Sequence, residues 1–166
     1  TVSIIVPKVQ TTTINEVFKT VTSSSRQPKI NKVIDYQLTT FGDQYYLLVN
    51  KGNIESETKI YMPFNGYVMY YKEDQSTLNF QIYSDDNKIT LTFLGALKAL
   101  CKVSKTEKAN VFEGKTYFCN NLKQGDLIAE TTQPSEHQNI ALQITGFLNN
   151  KSSLDILYKY LPIMIK

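Results

Sequence analysis

The feature that most constrains this 166-residue chain is a succession of short runs of β-branched and aromatic residues, each closed by turn-forming residues. The runs occupy positions 33–41, 45–49, 59–62, 67–71, 78–83 and 89–93, then 111–119, 126–131 and 140–147. Such side chains pack well on a pleated, half-buried surface, so each run predicts a strand. Between them stand Gly42-Asp43, Gly52-Asn53, Asn65-Gly66, Asp85-Asp86-Asn87 and Gly125-Asp126, which tolerate φ > 0 and favour tight turns between antiparallel strands. Many short strands at this spacing argue for a barrel or sandwich and against an alternating α/β chain. The stretch 94–103 has Leu97 and Leu100 three apart and reads as a helical turn or an irregular loop.

Two segments break the β pattern. After a β-branched start at Val2–Val6 that stops at Pro7, the residues Ile14, Val17, Phe18 and Val21 fall on one helical face. Thr13 and Glu16 form a capping-box pair ahead of that face. A polar connector follows at 23–28, so residues 1–42 are expected to be a strand-helix extension and 43–166 the β domain. At the other end, Ser153 is placed to cap a helix carrying Leu154, Leu157, Tyr158 and Leu161, with its end expected at Pro162. The chain opens at Thr1 without Met, from which a processed or trimmed chain is expected.

Composition excludes several functions. A net charge of +3 with 20% charged residues is too small and too dispersed for a nucleic-acid surface. No apolar stretch approaches the roughly 20 residues of a membrane helix. The chain contains one histidine, His137, in a polar loop, whereas a hydrolytic zinc site usually draws on two or three imidazoles. No P-loop, dinucleotide fingerprint, serine-esterase elbow or Cys-x-x-Cys motif occurs. Glu55/Glu57 and Asp85/Asp86 sit in expected turns and read as solvated charge rather than an acid/base pair. Cys101 and Cys119 are equally compatible with a disulfide and with two buried thiols. Eleven tyrosines, among them Tyr45-Tyr46, Tyr67 and Tyr70-Tyr71, cover a sheet face or form a stacking platform for sugars or a protein.

An ordered set of fragments carries a resemblance. Lys59-Ile60-Tyr61-Met62-Pro63-Phe64-Asn65-Gly66-Tyr67-Val68 reads as strand, proline, Asn-Gly and strand. Ile89–Leu94 is another strand, and Leu122-Lys123-Gln124-Gly125-Asp126-Leu127-Ile128-Ala129 a Gly-Asp turn leading into a third. In this order they resemble the barrel-sandwich, duplicated-hybrid-motif folds, and within them the lysostaphin/LytM-type peptidase domain, over about 49–162. Ala141–Thr145 occupies the place of that family's His-x-His strand, and Leu154–Pro162 is similar to the region after it.

The resemblance implies a mainly β barrel-sandwich domain with an N-terminal amphipathic helix and a C-terminal helix. Family peptidases hold zinc with a His and an Asp of a His-x-x-x-Asp element and the second His of His-x-His. Here 50–55 and 93–97 contain no His, and Ala141 and Gln143 replace the His-x-His pair. The resemblance therefore implies a degenerate, non-catalytic member with no metal or cofactor and with a retained groove. That groove is expected near Asn50, Phe93, Gln143 and Thr145. The implied role is an interaction module of the bacterial cell envelope, extracytoplasmic and periplasmic in setting. The implied partner is a protein, such as an active cell-wall hydrolase or an envelope complex, or peptidoglycan itself, with no nucleic acid. Alternatives are an adaptor subunit of an export or secretion machine, a divergent cell-wall hydrolase, or a carrier domain. A lipoyl carrier would need a lysine at the hairpin tip, and Asn65-Gly66 offers none.

Overall fold

The computed structural model describes residues 36–54, 57–74, 76–101 and 116–165. The expected N-terminal strand and helix lie outside these residues. Eleven strands and one α-helix follow in chain order among the described residues, with a 3-10 turn at Lys51–Asn53 after β2: β1 (Tyr36–Phe41), β2 (Gln44–Asn50), β3 (Lys59–Tyr61), β4 (Gly66–Lys72), β5 (Leu78–Ser84), β6 (Ile89–Gly95), β7 (Leu97–Ala99), β8 (Thr116–Leu122), β9 (Leu127–Thr131), β10 (Ile140–Leu148), β11 (Lys151–Ser152) and α1 (Leu154–Met164). The protein is thus mainly β, and every strand pairing among the described residues is antiparallel. No helix among the described residues is long and apolar enough to cross a membrane.

The large sheet has the order β1-β2-β10-β6-β5-β4-β8, with β11 paired to β10; the small sheet has the order β3-β9-β7. Turn chemistry explains the hairpins. Gly42, at φ 60, opens the two-residue loop between β1 and β2, where a type II′ turn requires a positive φ. Asn149 and Asn150, at φ 50 and 65, join β10 to β11 with the paired positive angles of a type I′ turn.

Strict alternation then sends one face of the large sheet inward. Val68 and Tyr70 of β4, Leu78, Phe80 and Ile82 of β5, and Leu91 and Phe93 of β6 are buried, as are Ile60 and Ile128 of the small sheet. The Phe80 and Phe93 rings stack at 4.6 Å, and Tyr70 leans on Phe80 at 5.9 Å. Tyr70 donates its phenolic hydrogen to the Ile128 carbonyl at 2.7 Å, tying the two sheets together through the core. Burial pushes the Tyr70 phenol well above its ordinary pKa, so it remains a donor.

Helix α1 is capped as the sequence predicts, Ser153 Oγ accepting from the Ile156 amide. Its end differs. Pro162 lies inside the helix, which continues to Met164. Proline forfeits one helical hydrogen bond, but Ile165 still donates to the Leu161 carbonyl at 3.1 Å and bridges Ile60 of β3. Burial of Met164 and Ile165 against the small sheet outweighs the local penalty. The stretch expected to be a helical turn or loop also differs: Leu97–Ala99 is β7, because Leu97 and Ala99 find register partners in Thr131 and Ala129 of β9.

Cys101 and Cys119 form a disulfide with Cα atoms 6.4 Å apart and a sequence separation of 18. It ties Cys101, two residues beyond β7, to β8 at the edge of the large sheet. A loop of this length corresponds to about 3 kcal/mol in the chain-entropy description. Replacing both cysteines by serine is expected to lower unfolding free energy by about that amount, and adding a reductant should do the same to the native chain but leave the variant unchanged. Denaturant titration with and without dithiothreitol measures it.

Candidate functional site

The outward face of the large sheet is unusual in its chemistry. Residues directly opposite one another in an antiparallel sheet point to the same side, so the register defines transverse rows. Phe118, Met69, Gln81, Thr92 and Thr145 form one row across β8, β4, β5, β6 and β10. Tyr71, Asn79, Leu94, Gln143 and Leu48 form the next, and Tyr67, Tyr83, Thr90 and Phe147 a third. None of these side chains carries a formal charge. Most exposed sheet faces of single domains bear Lys, Arg, Asp or Glu.

A groove of about 310 Å³ lies on this face over four adjacent strands, β2, β10, β6 and β5, lined by Gln44, Tyr46, Asn79, Gln81, Thr92, Leu94, Gln143, Thr145 and Phe147. That volume is at the small end of ligand-binding sites. Thr145 sits at the floor, 5% exposed. Tyr46 donates to Gln44 Oε1 and Tyr83, beside the groove, to Gln81 Oε1. Each tyrosine thus fixes a glutamine amide by its carbonyl end and leaves the NH₂ end to donate elsewhere. At the rim, Asn79 donates to Glu73 at 3.4 Å. Burial raises the pKa of Tyr46; burial and then the neighbouring Tyr67 phenol raise that of Tyr83. The groove therefore keeps one charge state through neutral pH.

The structure places the four expected contact residues differently from one another. Gln143 and Thr145 lie in the groove, two residues apart on β10. Asn50 ends β2 opposite Ile140, beyond the groove. Phe93 is not a groove residue: it is fully buried on the opposite face, stacked on Phe80. The reason is parity, since Thr92 and Leu94 point outward and the intervening residue must point inward. The sequence reading missed Asn79, Gln81 and Thr92 altogether. Their signal was present in β5, where Leu78, Phe80 and Ile82 alternate with Asn79, Gln81 and Tyr83, and in β6, where Leu91 and Phe93 alternate with Thr90, Thr92 and Leu94.

Other sequence candidates fall elsewhere. His137 is exposed in the loop between β9 and β10, a loop held by Lys51, whose amide donates to the Asn139 carbonyl at 3.0 Å and whose Nζ donates to the Ser135 carbonyl at 3.2 Å. Asp86 organises the β5–β6 turn, accepting from Ser84 Oγ at 2.7 Å and the Lys88 amide at 3.1 Å. Those hydrogen bonds, Ser84 first, hold its carboxyl below the usual range. Among the described residues, no three His, Cys, Asp or Glu side chains gather as a metal site would require.

The two fragments around Asn65 and Gly125 meet in space. Met62 donates to the Asp126 carbonyl at 2.8 Å and accepts from the Gly125 amide at 2.9 Å. Asn65 Oδ1 accepts from the Gln124 amide at 3.0 Å, and Gly66 pairs with Leu122. Asn65-Gly66 is thus not the tight hairpin turn expected from its composition. It joins a strand of the small sheet to one of the large sheet, and Gly66 is the first residue of β4.

Comparison of the chain with protein-family models, with curated proteins and with solved structures finds no match.

Proposed function

We propose that this chain is a non-catalytic interaction module of the lysostaphin/LytM type, acting at the bacterial cell envelope and binding peptidoglycan in the outer-face groove. The observation that carries this reading is the uncharged groove at Gln143 and Thr145, over the strand that corresponds by resemblance to the family's His-x-His strand. Amides and hydroxyls there hydrogen-bond a ligand well and are poor zinc ligands beside imidazole or carboxylate. Binding without turnover is what such a surface does best. The hydrogen-bonded meeting of the Asn65-Gly66 and Gly125-Asp126 segments supports the barrel-sandwich arrangement. The Cys101–Cys119 disulfide fits an oxidising, extracytoplasmic compartment such as the periplasm.

Co-sedimentation with purified peptidoglycan sacculi tests the module. The native chain should sediment and release no soluble fragments, with or without added zinc. Gln143→Arg places a long cation in the groove and should weaken sedimentation at least about ten-fold, or about 1.4 kcal/mol, with an unchanged melting temperature. Zinc-dependent release of fragments, or native protein left in the supernatant, would overturn the reading.

A further inference from the structure

Resting on the binding-module reading, we infer that the groove takes a neutral oligosaccharide, so that the wall component it recognises is the glycan strand rather than the peptide. The first argument is charge. An ionised carboxylate brought onto this face would lose hydration, find no counter-ion among the groove residues and meet the Glu73 carboxylate at the rim. A neutral ligand suffers no such cost.

The second argument is the state of the backbone beneath the groove. Extended peptides commonly bind by adding a strand to a free sheet edge, with main-chain hydrogen bonds supplying the affinity. Here β2, β10, β6 and β5 are all interior strands, each paired on both sides. Only side chains remain to contact a ligand.

Those side chains match a polyhydroxylated surface. Sugar hydroxyls donate and accept, and so do the Gln143 amide and the Thr92 hydroxyl. Gln44 and Gln81 accept from the Tyr46 and Tyr83 hydroxyls at their carbonyl ends, which leaves their NH₂ groups to donate to a ligand. Beside them, the Tyr67 and Tyr83 rings stack at 4.8 Å and Phe147 borders the groove, giving the apolar face of a pyranose aromatic surface to lie on.

Nitrogen-15 NMR titration of the full chain tests the inference, with the tetramer of N-acetylglucosamine as one probe and pentaglycine as the other. The tetramer should shift the backbone amides of Gln81, Thr92, Gln143 and Thr145, with an affinity that stays flat between about pH 5 and pH 9 because no groove residue titrates there. Gln81→Leu should weaken the tetramer at least about ten-fold, and the near-isosteric Thr92→Val serves as a second variant if the first unfolds. Shifts produced by pentaglycine but not by the tetramer would overturn the inference. Concentration-dependent shifts of the same amides without any probe, accompanied by a dimer mass, would overturn it in favour of a second copy on this face. Sacculus binding that persists while the tetramer is silent removes the glycan assignment alone, whereas loss of sacculus binding removes the module reading itself.

Discussion

Phe93→Ala is expected to cost about 3–5 kcal/mol of unfolding free energy, the range for deleting a large buried aromatic side chain. The ring is fully buried between the sheets and stacks on Phe80 at an interplanar angle of 4°. Removing it leaves a cavity that neither Phe80 nor Tyr70 can fill, because both are held by their own strands and Tyr70 also by its bond to Ile128. Denaturant titration should show a lower midpoint with a similar slope. Thr92→Ala, on the opposite face of the same strand, should change stability by less than about 1 kcal/mol. A stable Phe93→Ala variant with impaired ligand binding would instead return this residue to the groove.

Gly66→Ala is expected to destabilise the fold by more than about 3 kcal/mol, a large effect for one methyl group. A Cβ at this position would run into the Tyr83 carbonyl oxygen and lie 3.2 Å from the Ser84 Cα. Those are main-chain atoms of β5, so relief requires separating two paired strands rather than turning a rotamer. The backbone angle plays no part, since Gly66 is not among the residues with positive φ. By contrast, Gly146→Ala meets the side chains of Ile156 and Leu157 at 3.1–3.3 Å, where helix α1 crosses β10. These side chains can adjust, so the loss there should be smaller, and thermal melts of the two variants side by side make the comparison. Equal stability of Gly66→Ala and the native chain would contradict the close approach of β4 and β5.

Much of the strand pattern was legible in the sequence because alternation and turn residues are local properties. The runs at 45–49, 67–71, 78–83 and 126–131 became β2, β4, β5 and β9 within a residue or two of their ends. The Ser153 cap was equally local, since one hydroxyl and the amide of Ile156 suffice to form it. The candidate site was legible only in part. Gln143 and Thr145 were reached through a resemblance on one strand, while Gln81 and Thr92 come from strands far away in the chain. Nothing in residues 78–95 alone says that β10, some fifty positions later, will lie beside β6.

The chain's own chemistry determined which segments extend and where they turn, through side-chain shape and the φ angles that Gly and Asn tolerate. It also determined that one face of β4, β5 and β6 would be apolar and the other neutral and polar. Which strands became neighbours, which of Thr92 and Phe93 faced the groove, whether Leu97 would find a sheet partner and whether the last helix would run past Pro162 were settled only by tertiary structure. These outcomes depend on burying apolar area and pairing backbone groups between residues remote in sequence, and those energies exceed the local preferences that a linear reading can weigh.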